Sequence, residues 1–360
     1  MNRERRTAGG PAPESVLIVR LSSIGDVVHT FPAYMALRRR WPATAFGWAV
    51  ESAASDLVRR LPGNLRVHEL PIQSWRRHLL SWRSQREARA HLRQIRTAGY
   101  ELAIDFQGLL KSAIVARAAR TEILGFAPVD LRERIAARLY HRTAPVAPPG
   151  CHIVRHNLHL AAAAGASRTA IEFPRLCNDA DERYASEQIE RLGVERFAII
   201  DTAANWPTKR YDPERFIAAA RDLHRRTGLH FLWIWGPGER DSAREHATHA
   251  GPGQHLAPPT RLPQLVGLLR AASLFIGGDS APLHLAVACG TPVVALFGPT
   301  DPARLGPLDP DDQVVRQVLP CSYCHARRCR LGTRECLESI PPEALVDAAM
   351  VRLRITGAVG

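Results

Sequence analysis

Apolar runs of strand length alternate with amphipathic stretches of helix length along almost the whole chain, and few folds accommodate that pattern. In the first half the runs are VLIVRL (16–21), FGWAVE (46–51), RVHELP (66–71) and ELAIDF (101–106). Between them lie FPAYMALRRRWP and SQREARAHLRQIRTAGY, whose apolar residues recur at helical spacing. Strands separated by helices predict a parallel sheet covered on both faces, a doubly wound α/β fold. A proline-rich break, PVAPPG, and a helix over 152–164 follow. A second series then begins, with strands FAIID (197–201), HFLWIWG (230–236), SLFIGG (273–278) and PVVALFG (292–298). Its helices include DPERFIAAARDLHRRTG and one opening near Leu262. The pattern therefore predicts two doubly wound domains, 15–176 and 177–360, joined near 174–182, after a disordered polar tail over 1–14. The last helix is expected to pack back on the first domain. Ligands of such sheets sit beyond the carboxyl ends of the strands, which for two such domains means the cleft they face.

The 360 residues carry 48 Lys and Arg against 35 Asp and Glu, a formal charge of +13. That excess, mostly arginine, suits an anionic partner such as a phosphorylated ligand, a membrane surface or nucleic acid, although a merely basic surface is an equal alternative. No run of 18 apolar residues occurs and the first 14 residues lack an apolar core, so neither a membrane span nor a signal peptide is expected. Seven cysteines, an odd number, without such a signal, point to a reducing compartment rather than a disulfide scaffold.

Residue types with chemical capacity fall just after the expected strands. SSIGDVVHT follows the first: Gly25 permits close approach of a ligand, and Asp26 stands where a helix begins. By its type Asp26 is a helix cap; aimed into a cleft, it is equally suited to act as a general base. DTAANWPTKRYDPERF (201–216) places Lys209 and Arg210 after a loop of small residues, an arrangement suited either to a diphosphate or to plain solvation. It lacks P-loop spacing, and WGPGERD (235–241) lacks the dinucleotide-binding glycine spacing, though Glu239 stands where an acid reaches a ribose hydroxyl. FIGGDSAPLHLAVACGTPVVALFGPTDP (275–302) is the most informative segment. There Ser280 and the first N–H groups of a helix suit phosphate, Asp279 suits sugar hydroxyls, and His284 lies in the first helical turn.

Cys321, Cys324, Cys329 and Cys336 are spaced Cys-x2-Cys-x4-Cys-x6-Cys. Four thiolates suit a tetrahedral structural zinc, while the spacing departs from paired CxxC knuckles and leaves unligated thiols as the alternative. Arg76, Arg77, Arg83 and Arg86 flank Trp75 and Trp82, with Lys111, Arg132, Arg134, Arg138 and Arg142 further on. They suit a phosphorylated amphiphile at a membrane surface, or form a solvated basic face.

Taken in order, SSIGDVVHTFPA, WRR (75–77), IDFQGLLKSA (104–113), the REx8R stretch from Arg132 to Arg142, WPTKRY, GPGE, GGDSAPLH and FGPTDP resemble the motifs of the glycosyltransferase family 9 heptosyltransferases. Within that family the resemblance is to the enzymes that add the first heptose of lipopolysaccharide. It implies a GT-B fold of two Rossmann-like domains, and an inverting, metal-independent transfer of L-glycero-D-manno-heptose from ADP-heptose to the Kdo of Kdo-lipid A, with no cofactor. On this matching Asp26 is the base. Lys209 meets the donor diphosphate, Glu239 its ribose, and Asp279, Ser280 and His284 the heptose-phosphate end, with Thr202 a further donor-binding residue. Ser23, Arg76, Arg77, Lys111 and Arg132 meet the acceptor. The implied setting is the cytoplasmic face of the inner membrane, with a monomer as the working unit and no nucleic-acid partner. A second-heptose transferase, or a transferase of another nucleotide sugar, is the alternative within the family; a basic membrane- or nucleic-acid-binding protein is the alternative outside it. The sequence departs from the family at Ala203, Ala204 and Asn205, where hydroxyl residues are usual, and at Ala281, where glycine is common.

Overall fold

The computed structural model describes residues 11–77, 81–168 and 170–357. The chain divides into two compact units, Met1–Arg175 and Leu176–Gly360. The first contains β1 (Ser15–Val19), β2 (Ala45–Glu51), β3 (Leu65–Leu70), β4 (Leu102–Asp105), β5 (Glu122–Gly125) and β6 (Arg142–Thr143). The second contains β7 (Phe197–Asp201), β8 (His230–Trp233), β9 (Gln254–Leu256), β10 (Leu274–Gly278), β11 (Val293–Phe297) and β12 (Gln313–Arg316). The sheets are ordered β3-β2-β1-β4-β5-β6 and β12-β11-β10-β7-β8-β9, and every pairing is parallel. Each unit thus repeats the same doubly wound order, and in each the chain reverses direction across the sheet between its first and fourth strands. Those are β1 beside β4 and β7 beside β10, in register Val19 to Asp105 and Gly277 to Asp201. Such reversal points leave a crevice at the carboxyl ends of the two strands, where doubly wound sheets take their ligands.

The central strands form because they bury both faces. Val16 to Val19, Ala198 to Ile200 and Val293 to Ala295 are all inaccessible or nearly so, the near-continuous apolar pattern of parallel strands. Helices cover them with locally encoded ends. Asp212 accepts a hydrogen bond from the Glu214 N–H at 3.0 Å, Pro213 opens the helix Pro213–Thr227, and Gly228 closes it at φ 68°, a left-handed conformation that disfavours a side chain. Asn178 and Asp181 form a reciprocal capping box at the start of Asp179–Leu192.

The helix expected over 152–164 runs Ile153–Ala163. Pro13 and Glu14, read from sequence as tail, are tied down: the Thr44 hydroxyl donates to the Pro13 carbonyl at 2.6 Å and Ala45 N–H to that of Glu14 at 2.9 Å. The closing helix, Pro342–Ile355, buries Leu345, Val346, Ala349 and Leu353 in the core of the second unit, with Phe216 and Ile276. Four short strands, β5, β6, β9 and β12, were not expected. Among the described residues no helix is long and apolar enough to cross a membrane.

Candidate active site

In the first unit, the turn after β1 carries the short helix Ile24–Val28. Its N-cap is Ser23, and Asp26 is the third helical residue rather than the cap. Asp26 Oδ2 accepts from the Ser23 N–H at 3.0 Å and from the Ser23 hydroxyl at 2.9 Å, the reciprocal half of a capping box. Its Oδ1 lies 2.8 Å from Arg20 Nη2. Arg20 ends the apolar run of β1 and is itself buried; its other terminal nitrogen donates to the Phe106 carbonyl beyond β4. Arg20 therefore bridges the two strands of the reversal point and fixes the carboxylate from below, while 37% of the Asp26 side chain stays exposed. Capping-box partner and candidate base are one group here: the bonds from Ser23 orient the carboxylate without enclosing it.

Lys111, in the helix Leu110–Ala118, reaches the same turn. Its Nζ lies 3.2 Å from Ser22 Oγ and 3.2 Å from Glu51 Oε1. The loop leading to this helix hangs on Asp105, fully buried at the end of β4, which accepts from Gln107 N–H, Gly108 N–H, the Ser112 hydroxyl and the Tyr140 hydroxyl. Burial raises the Asp105 pKa, and these four donors partly offset that. Arg132 is exposed in the turn before the 3-10 segment Arg134–Leu139, and its neighbour Glu133 accepts from the Leu110 N–H at 2.8 Å, which ties that turn to the start of the Lys111 helix. Arg142 instead enters β6 and pairs with Glu122 of β5 at 3.3 Å, a structural role. Arg76 and Arg77 close the helix Ile72–Arg77; their side chains lie outside the described residues.

In the second unit, Lys209, Asp279 and His284 form one cluster at the β7–β10 reversal point. Asp279 Oδ2 lies 2.6 Å from Lys209 Nζ and accepts from the Thr300 hydroxyl at 2.6 Å, and Oδ1 lies 3.1 Å from His284 Nε2. Burial works against ionisation of Asp279, but His284 and Lys209 outweigh it and hold the carboxyl well below its usual range. Lys209 also lies over the Trp206 ring at 4.5 Å from its centre, and Arg327 over the same ring at 5.2 Å. Ser280 is placed by a different group: its hydroxyl donates to Asp201 Oδ2 at 2.6 Å. Burial pushes the Asp201 carboxyl up to about 6 despite that bond and one from the Ala203 N–H, with the charge of Glu239 adding in the same direction. Thr202 follows, half-buried. Glu239 caps its own turn, accepting from the Gly236 N–H at 2.9 Å.

Such a cluster offers one ammonium, one buried carboxylate and the first N–H groups of the helix Ala281–Cys289 to a ligand with both anionic and hydroxyl groups. Sequence reasoning missed Arg20, Asp201, Thr300 and Arg327. Arg20 lies inside a strand-like run, where a charge reads as an interruption, and Thr300 is brought to Asp279 only by the fold.

Of the two readings of the four cysteines, the zinc site is the one without support. Among the described residues no group of three or more His, Cys, Asp or Glu side chains is arranged to hold a metal ion. Cys321, Cys324, Cys329 and Cys336 are free thiols around one apolar pocket with Thr208 and Pro299. They line it together: Cys321 and Cys324 are exposed, backbone N–H groups from Arg334 and Leu331 lower the Cys329 thiol, and burial, then the nearby thiols of Cys321, Cys324 and Cys329, raise that of half-buried Cys336. The loop still bears on the cluster, since the Thr208 hydroxyl donates to the Ala326 carbonyl at 2.7 Å.

The profile of glycosyltransferase family 9 (heptosyltransferase) matches residues 88–334. Lipopolysaccharide heptosyltransferase 1 of Pseudomonas aeruginosa is 30% identical over 319 residues, 87% of either chain. Lipopolysaccharide heptosyltransferase 1 of Escherichia coli K12 is 26% identical over 304 residues, 84% of this chain and 93% of that one. Among solved structures, the E. coli heptosyltransferase WaaC with ADP-2-deoxy-2-fluoro heptose superimposes with a TM-score of 0.73 at 23% identity, covering 94% of this chain and 99% of that one.

Proposed function

The chain belongs to glycosyltransferase family 9, and we propose that it transfers L-glycero-D-manno-heptose from ADP-heptose to the Kdo of Kdo-lipid A, with inversion at the anomeric carbon, during synthesis of the lipopolysaccharide inner core. The observation that carries this reading is the match to lipopolysaccharide heptosyltransferase 1 along 87% of both chains, supported by charged groups at the reversal point of each unit. In the proposed step Asp26 accepts the proton of the attacking acceptor hydroxyl. That oxygen bonds to the anomeric carbon as the bond to the diphosphate breaks, and ADP departs with the electron pair. Lys209 and the N–H groups opening Ala281–Cys289 stabilise the charge gathering on the diphosphate. Asp279 keeps Thr300 and His284 as partners when Lys209 turns to phosphate, and with His284 it takes heptose hydroxyls. Ser280 and Thr202 meet the phosphates, and Glu239 the ribose. Ser23, Lys111, Arg132, Arg76 and Arg77 meet acceptor carboxylate and phosphate. A cytoplasmic, membrane-peripheral monomer is the working form of this proposal.

The test is a transfer assay with purified protein, ADP-heptose and two acceptors, Kdo-lipid A and the same molecule already carrying one heptose. Product from Kdo-lipid A with an anomeric configuration opposite to the donor's supports the proposal. Product from the heptosylated acceptor alone, or retention of configuration, refutes it.

A further inference from the structure

The helix Trp82–Thr97 is not explained by the donor or acceptor groups. It carries Arg83, Arg86, Arg89, Arg93 and Arg96 against one acid, Glu87, a balance of 5 − 1 = +4. All five arginines are exposed. At ~100° per residue they fall within an arc of about 140°, and Trp82, 70% exposed, lies inside that arc. The opposite side packs inward through Ile95 and Leu92. An exposed tryptophan is an uncommon expense of apolar surface, and arginines on both sides of it do not hide it.

The elements packed beside it carry the same mixture of side chains. The helix Leu110–Ala118 packs against Trp82–Thr97 and against the 3-10 segment Arg134–Leu139, which in turn packs on Pro128–Asp130. Leu110 and Ile114 are 38% and 49% exposed, Ile135 52% and Val129 60%. Arg117, Arg134 and Arg138, on the same elements, are exposed as well. Basic and apolar side chains are thus interleaved over consecutive packed elements of the first unit. Duplex nucleic acid would use the arginines and leave Trp82, Ile114 and Ile135 idle. An anionic bilayer uses both, since guanidinium groups meet lipid phosphates while an indole and aliphatic tips enter the headgroup region.

We propose that the face formed by Trp82–Thr97, with Ile114 and Ile135 beside it, docks the protein on an anionic phospholipid surface. This deepens the functional reading, on which the identity of the acceptor depends. The helix that presents Ile114 also carries Lys111, and the turn before Ile135 carries Arg132, so docking would hold the proposed acceptor residues beside the headgroups from which a lipid-anchored sugar projects.

The experiment measures partition of the full chain onto vesicles of phosphatidylglycerol and phosphatidylethanolamine and onto pure phosphatidylcholine vesicles, at ~0.1 M salt. Wild type is expected to bind the anionic vesicles selectively and to be released as salt rises. With each arginine worth roughly fivefold at such a surface, Arg89→Glu/Arg93→Glu is expected to lower partition by about 25-fold or more. Trp82→Ala, which changes no charge, is expected to lower it several-fold, and circular dichroism confirms folding of both variants. Transfer to a detergent-dispersed acceptor should be unchanged in these variants, while transfer to the acceptor embedded in vesicles falls with partition. No binding by wild type, equal binding by the charge-reversed protein, or preference for duplex DNA over anionic vesicles would each overturn the proposal. Absence of transfer from every acceptor would instead refute the heptosyltransferase reading and leave the vesicle result to stand by itself.

Discussion

Replacing Asp279 by Asn removes one charge from a cluster in which little solvent is present to compensate. The side chain of Asp279 is 4% exposed and that of Lys209 15%, with 2.6 Å between Nζ and Oδ2. At an effective dielectric constant of ~20 the gross attraction of such a pair is about 6 kcal/mol. Desolvation cancels part of that, and removing one partner of a buried pair costs about 3–5 kcal/mol. The amide still accepts from Thr300 or meets His284, which recovers about 1 kcal/mol. The expected loss is therefore about 2–4 kcal/mol, read as a fall of roughly 1–2 M in the urea midpoint for a slope of about 2 kcal/mol/M. The pH dependence has a definite sign. Because the folded carboxyl lies below its usual range, its stabilisation is present above about pH 4 and is lost as pH falls further. The gap between wild type and variant should be constant from pH 6 to 8 and close below pH 4. A midpoint change equivalent to less than about 0.5 kcal/mol, or a gap that widens in acid, would refute the buried pair.

Asp201 predicts the opposite trend. Its folded pKa of about 6 lies above the ~3.9 of an unfolded aspartate, so wild type loses up to about 3 kcal/mol as pH rises from 4 to 7 while Asp201→Asn does not. Paired urea titrations at both pH values check this, and a parallel response of the two proteins contradicts it. Arg20→Ala removes the guanidinium that fixes Asp26 and is expected to lower kcat about 100-fold with donor affinity within twofold, because misorientation of a catalytic group is costly without touching the donor. Isothermal titration with ADP-heptose beside steady-state kinetics reads both quantities, and partial recovery in Arg20→Lys separates positioning from a general loss of structure.

The central strands were legible because burial on both faces leaves an unbroken apolar run, as in FAIID, which is β7 residue for residue. Strands β5, β6, β9 and β12 were not. They lie toward sheet edges, run for two to four residues, and in β12 alternate half-buried with exposed positions; short outer strands need no such run. The candidate site was legible where a residue of suitable chemistry stands in the loop leaving a strand, as at Ser23, Asp26, Lys209 and Asp279. It was not legible where the third dimension supplies the partner. Nothing in the sequence relates Arg20 to Phe106 or Thr300 to Asp279, separations of 86 and 21 residues. By type Asp26 read as an N-cap, with a general base as the other reading; in the helix it is the reciprocal partner of Ser23, since a carboxylate three positions into a helix reaches back to the cap N–H.

The most direct test of the account is to compare Asp26→Asn with wild type in turnover and in ADP-heptose affinity. Asn retains the shape of the side chain and an oxygen for the Ser23 N–H, but cannot take a proton from the acceptor hydroxyl. General-base catalysis is worth about 100- to 10,000-fold, so kcat should fall by that factor while donor affinity stays within about twofold. Turnover at the wild-type rate would contradict the account and leave Asp26 as the capping-box partner of Ser23 alone.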